Sequence, residues 1–331
     1  MSSTPAPSEE ADRPPGAAHG ALDVLAAGAA AALFFAGFLV LPVAGPLALP
    51  FAAVPIVRLA HRRGPGAAFA ASAITSGFVL LLTLAASPLS SGTSGALFAA
   101  AITALPAFFV CSVRRGVDFS LAYLGLCATG LLLAGGFLLA RASDTDLSMR
   151  REIDRAFDEW QRLSAEPGRA PTDAETAARL RATLDAARTF TRRFWIGLIG
   201  VSWVLGSAIG YFLGAWSARP APSAETTRFE QLRVPAPVAA LFAASGAGWA
   251  LFPDPASRIA GNLLWPLAAL YFVAGLSIIC HFARRWFRAR LLRVGLYALV
   301  VYIPINVGVA LLGLFDWYAD FRRKGREIKE S

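Results

Sequence analysis

Three groups of residues in this 331-residue chain stand where residue type and spacing could do chemistry. The first is a proline series, Pro42, Pro46, Pro50 and Pro55, inside one apolar run. Each proline removes a backbone donor, so the series predicts a helix that unwinds at its entry and frees carbonyls that only protein or cavity water can satisfy in a membrane. Broken helices of that kind form ligand sites in transporters; the rival outcome is a helix bent at the interface. The second group comprises Asn262, Asn306 and Asp316, polar residues within or at the ends of apolar runs. A polar group at membrane depth points to function unless it joins two helices, and Asn306, two residues after Pro304, is the deepest of them. Pro46, Pro50, Asn262 and Asn306 are therefore the candidate ligand-binding set for a small-molecule substrate. The third group, Ser202, Gly206, Gly210 and Gly214, recurs every fourth residue and so shares one helical face, where small side chains let another backbone approach closely.

No catalytic constellation accompanies them. The chain has no phosphate loop ending in Lys-Ser or Lys-Thr, no paired-histidine zinc motif and no nucleophile elbow. His61 and His281 stand next to or near arginines at the ends of apolar runs, as interfacial anchors do, and His19 lies in the N-terminal tail. Cys111, Cys127 and Cys280 form no close pair and read as small buried residues. The expectation is no enzyme, no metal and no cofactor.

The elements that must position these residues are set by composition. With 56% hydrophobic against 16% charged residues and a mean hydropathy of +0.54, the chain has too little polar surface to cover a soluble fold. About 20 apolar residues of helix cross the hydrocarbon core. Runs of that order suggest about nine segments: 21–41, 43–60, 67–87, 95–113, 119–140, 194–217, 238–252, 263–283 and 294–314. The fold class is an all-α polytopic bundle. The net charge of +9 sits as arginine clusters between these runs rather than on one soluble basic face, which argues against nucleic acid.

Arginine-rich connections stay on the cytoplasmic side, because carrying each charge through the bilayer centre costs about 2.5–3.5 kcal/mol. Arg58, Arg62 and Arg63, then Arg114 and Arg115, then Arg219, Arg228 and Arg233, then Arg284 to Arg293 follow every second segment. The alternation places the N-terminus in the cytoplasm, with the bilayer of the inner (plasma) membrane as the partner of the apolar faces. The basic tail beyond Arg322 conflicts with it unless the C-terminus is external or the seventh segment re-enters. Residues 1–20 hold Arg13 as their one basic residue and read as a disordered tail before an uncleaved first span.

The organisation expected is thus a tail (1–20), a five-segment membrane half (21–140), a polar insert (141–193), a four-segment half (194–314) and a basic tail (315–331). In the insert, Met149, Ile153, Phe157, Trp160 and Leu163 make one apolar helical stripe, Glu166-Pro167-Gly168 breaks it, and Thr172 to Glu175 forms a capping box for a second helix. This helical hairpin is either a spacer or a surface that docks a membrane-protein partner.

Three blocks add a resemblance: the proline-bearing second segment with Arg62, Arg63, Gly64 and Gly66; Asn262-Leu263-Leu264 leading to Leu270-Tyr271-Phe272 and Gly275-Leu276-Ser277; and Gly313-Leu314-Phe315-Asp316 running to Asp320-Phe321-Arg322. In order and spacing they resemble the YybS-like family of predicted bacterial membrane proteins (domain of unknown function 2232). Where that family often has Gln before the glycine of the eighth segment, Ala274 stands here. The resemblance implies no established activity. Its proline-containing half is similar to the substrate-binding subunits of energy-coupling-factor vitamin transporters, and more loosely to the cell-shape protein MreD. The expected role is transport-related small-molecule binding; the alternative is a non-catalytic scaffold that recruits partners through the 141–193 hairpin.

Overall fold

The computed structural model describes residues 17–40, 45–86, 103–140, 142–164, 173–218, 229–286, 306–319 and 321, and every regular element among them is helical. Ten helices follow one another: α1 (Ala17–Val40), α2 (Gly45–Arg63), α3 (Pro65–Ala86), α4 (Thr103–Arg114), α5 (Phe119–Ala140), α6 (Ala142–Ser164), α7 (Ala174–Ala218), α8 (Ala236–Leu251), α9 (Ala256–Trp286) and α10 (Asn306–Ala319). Windows in α1, α3, α7 and α9 are long and apolar enough to cross a membrane; α8 and the described part of α4 are shorter, and α5 is an apolar helix of 22 residues. The fourth and ninth expected segments lie partly outside the described residues, as do the two tails.

Contacts between helices define two ends of the bundle. At one end Arg63 pairs with Asp23 across α1 and α2 at 2.7 Å, Arg62 reaches the Ala218 carbonyl at the end of α7, and Arg114 of α4 donates to the carbonyls of Ala60 and His61. Arg114 thereby satisfies the C-terminal carbonyls of α2, which an α-helix leaves without partners of its own. Arg284 at the end of α9 pairs with Glu230 at the same end. Arg62, Arg63, Arg114 and Arg284, from three of the clusters that the sequence places on one side of the membrane, therefore gather at one end of the described bundle. At the other end α6 packs along the first half of α7, with Ile153 and Leu184 buried and Arg188 bridging Asp154 and Asp158.

Small residues set the closest packing. The buried Gly214 of α7 abuts α2, where an added Cβ would stand 2.6 Å from Val57. Gly206 and Gly210 are buried on the same helix, and the hydroxyl of Ser202 turns back to the Leu198 carbonyl. Gly275 of α9 abuts Val309 and Gly313 abuts Tyr271, so α10 runs antiparallel to α9 with their backbones in contact. An aromatic cluster fills the core nearer the arginine end: Tyr211 meets Phe109 and Phe119 at centroid distances of 4.9 and 5.5 Å, and Phe212 meets Phe229 at 4.4 Å.

Several sequence expectations change. Helix α2 is helical from Gly45, through Pro46 and Pro50 to Arg63, so its entry is not unwound as the proline series predicted. Pro46 falls in the first turn, where an amide has no helical acceptor in any case. Pro42 lies outside the described residues. The insert's second helix runs into the sixth segment, as expected, and the two meet within α7 at a kink at Phe194 (φ −119°, ψ 18°), the position at which the sequence divides them. Its N-cap is Asp173, whose carboxylate accepts the Thr176 amide; Thr172, the cap predicted from the sequence, lies outside the described residues.

Candidate solute-binding cleft

The described chain ahead of α8 has no regular structure over residues 232–235, and α8 begins after Pro235 (φ −72°, ψ 156°) with a second proline, Pro237, in its first turn. Pro237 cannot donate and Pro235 holds an extended backbone, which explains why the helix starts no earlier. The sequence marks these prolines, but reads Arg228 to Arg233 as a simple basic connection. Instead, Leu232 is fully buried and Phe229 and Val234 nearly so, because the segment folds back into the bundle.

A non-helical backbone inside a membrane bundle needs partners, and neighbouring helices supply them. The Arg233 amide donates to the Ser120 hydroxyl of α5 at 2.9 Å, and that hydroxyl reaches the Gln231 carbonyl at 3.4 Å. Ser277 of α9 donates to the carbonyls of Leu232 and Ala274. The half-buried Glu230 accepts from Arg284 at 2.8 Å, with His281 Nδ1 at 3.8 Å, which fixes the start of the segment to the end of α9.

Beside this segment lies a cleft of about 100 Å³, lined by Leu232, Arg233, Val234, Ala274, Gly313, Asp316 and Trp317. Two of the lining residues are small, Ala274 on α9 and Gly313 on α10; at Gly313 the place of a Cβ is taken by the Tyr271 carbonyl, where the two helices touch. Ala274 stands nine residues before Ala283, roughly 13 Å along the helix at about 1.5 Å per residue, so the cleft lies well inside the apolar run of α9. Asp316 is only 6% exposed. The cleft is thus bordered by the nearly buried Asp316, by the buried Leu232 and Val234, and by the exposed residues Arg233 and Trp317. It offers no set of metal-ligating groups: among the described residues no cluster of His, Cys, Asp and Glu could hold a metal ion.

The residues singled out from the sequence are not brought together here. Asn306 is the exposed first residue of α10 and does not line the cleft. Pro46 and Pro50 belong to α2, and their side chains lie outside the described part. Asn262 sits near the other end of the bundle, where its amide bonds to the backbone of α7 at Gly197 and Arg193 and to the Arg258 carbonyl. Asp316, visible in the sequence as a polar residue at the end of a segment, does line the cleft. Arg233 enters the sequence reading as part of a basic connection and Ala274 as the residue standing where the resembled family often has Gln; their place beside the cleft comes from the fold-back at Pro235 and the packing of α9 on α10.

The family model described as "Predicted membrane protein (DUF2232)" matches residues 29–317, which takes in the cleft, the second half of α1, all of α2 to α9 and most of α10, and the chain belongs to that family. No curated protein and no solved structure matches the chain.

Proposed function

We propose that this member of the DUF2232 family is a transport-related membrane protein that binds a small polar solute in the cleft between residues 232–234, α9 and α10. One observation carries the reading: the nearly buried Asp316 borders open space beside the buried, non-helical stretch that leads into α8, inside an apolar bundle. A carboxylate at that depth is costly, and a chain keeps one there for a solute, an ion or a proton more readily than for packing. Discontinuous helices at membrane depth are where transporters build such sites.

The test is thermal unfolding of the purified full-length protein against a metabolite library, with Ala274→Leu as the comparison, since a longer side chain at 274 fills the cleft. A ligand acts by binding the native state alone. Compounds that raise the midpoint of the wild type and leave Ala274→Leu unmoved support the reading; equal shifts in both proteins, or none in either, overturn it.

The scaffold reading draws on a different observation. Trp160, Leu163 and Leu180 are exposed on the α6–α7 hairpin, an apolar surface on an otherwise charged element. Crosslinking from position 160 in intact membranes would return one recurrent membrane partner under that reading and only scattered neighbours under the first.

A further inference from the structure

We infer that the outer face of α2 carries a site for one anionic phospholipid, its phosphate held by Arg58 and Arg62 and its hydrocarbon laid against Phe51. The inference is independent of the cleft. Between Phe51 and Arg62, α2 is buried or half-buried at every position except Phe51, Arg58 and Arg62 themselves. At about 3.6 residues per turn those three fall within about 40° of one another, so the helix shows its surroundings one narrow stripe. The stripe is apolar at one end and cationic at the other. Phe51 is 40% exposed and stacks on Phe34 of α1 at 5.9 Å, which widens the apolar end. Arg58 stands seven residues on, roughly 10 Å along the axis, and Arg62 lies one turn beyond it at the arginine end.

The protein does not balance the charge of the stripe. The carboxylates described near it are engaged elsewhere: Asp23 pairs with Arg63, Glu230 pairs with Arg284, and Asp118 accepts the Leu121 amide. Arg62 gives its Nε–H to the Ala218 carbonyl and keeps its terminal nitrogens, while Arg58 makes no hydrogen bond or ion pair among the described residues. A guanidinium one turn inside an apolar run, on an exposed helix face, is accommodated by reaching out to the headgroup layer. Arg58 and Arg62 share a face at a spacing of four, so both can reach one phosphate, whose oxygens match the forked donors of a guanidinium. A phospholipid presents its groups in the order of the stripe, phosphate at the surface and hydrocarbon beneath. Net charge then selects the headgroup: a zwitterionic one brings its own cation to the phosphate, and an anionic one leaves the phosphate to the two arginines.

The experiment is native mass spectrometry of the full-length protein in detergent micelles, titrated separately with dioleoyl phosphatidylglycerol and dioleoyl phosphatidylcholine. Phosphatidylglycerol should bind more tightly, by up to about 25-fold, since each arginine near an anionic surface contributes about fivefold. Arg58→Gln should weaken that binding about fivefold and leave phosphatidylcholine unchanged. Arg115→Gln removes the same charge from an exposed residue at the same end but off the stripe, and should change neither affinity. Equal losses from the two variants would reduce the effect to diffuse attraction by a basic surface, and equal affinity for the two lipids would remove the headgroup preference; either overturns the inference. Phe51→Ala keeps both arginines and should weaken phosphatidylglycerol binding, so the site stays testable if the Arg58 variant does not fold; unchanged binding overturns the placement of the hydrocarbon. Glycerol phosphate is the last probe. If it displaces phosphatidylglycerol at comparable concentration, the site takes a soluble phosphate and the lipid assignment falls.

Discussion

Asn262 completes a rung that α7 leaves open: its Oδ1 accepts the Gly197 amide at 2.7 Å, while its Nδ2 donates to the Arg193 carbonyl at 3.2 Å. In an unbroken helix those two backbone groups would bond to each other. The bend at Phe194 lies between them, and the asparagine of α9 enters there. Gly197 permits the approach, since an added Cβ would stand 2.8 Å from the Asn262 carbonyl. Arg193 pairs with Asp254 and also donates to Ser257, so the bend is tied to the turn between α8 and α9.

Replacing Asn262 with Leu should therefore lower stability by about 1–2 kcal/mol, the scale of hydrogen bonds between membrane helices. Thermal unfolding in detergent provides the measurement. Unaltered stability would mean that the bend is held by packing, with Phe194 against Gly261, and that the amide is dispensable.

The contact between α7 and α2 predicts a specific coupling. A Cβ at position 214 would lie 2.6 Å from the Cβ and Cγ1 of Val57, so Gly214→Ala should destabilise by about 1–3 kcal/mol, as overpacking does. Val57→Ala removes the colliding Cγ1 and keeps Cβ, so it relieves the clash in part. The double variant should be more stable than the sum of the two single effects predicts, because the residues touch. Strict additivity would show that the helices move apart instead of clashing.

The all-helical class, the placement of most segments and the gathering of the arginines at alternate connections were legible because apolar length and charge are properties of the sequence alone. Helix α5 begins at Phe119 and ends at Ala140, as its apolar run does. Interruptions were not legible in the same way. Pro46, Pro50 and Pro55 lie within a continuous α2, whereas Pro235 and Pro237 mark the start of α8 after a non-helical stretch. Proline removes the same donor in both places; what differs is whether neighbours such as Ser120 and Ser277 are present to satisfy an extended backbone. That is decided in three dimensions. For the same reason Asp316 was visible as a polar residue, but its neighbours across the cleft were not.

Outside the membrane bundle, Asp173 gives the start of α7 a defined pH dependence. The amide of Thr176 bonds to its carboxylate, and this holds the Asp173 pKa below the ordinary aspartate value. A carboxyl whose folded pKa is depressed contributes stability that is fully present above its unfolded pKa, about 3.9, and lost as pH falls through the folded value. A side-chain carbon shift titration of labelled protein should give Asp173 a midpoint below that of an unstructured aspartate, with the first turn of α7 fraying in the same window. A midpoint at or above the ordinary value would mean that the cap is not formed.

The last prediction concerns the two ends of the bundle. Gly66 stands in the first turn of α3 with nothing within 4 Å of an added Cβ, next to the arginines of α2. Ala156 is exposed on α6, at the hairpin end. If the bundle crosses the bilayer along its long axis, cysteines at these positions must lie on opposite sides of the membrane whichever way the protein is inserted. The direction follows from the arginines: Arg62, Arg63, Arg114 and Arg284 share one end, and clusters of that sign are retained in the cytoplasm. In a background with Cys111, Cys127 and Cys280 replaced, an impermeant thiol reagent added to intact cells should label Ala156→Cys and spare Gly66→Cys until the membrane is opened. Labelling of Gly66→Cys alone would invert the orientation and keep the bundle. Labelling of both would show that the two ends face the same compartment, which no transmembrane placement of α7 and α9 along their length allows.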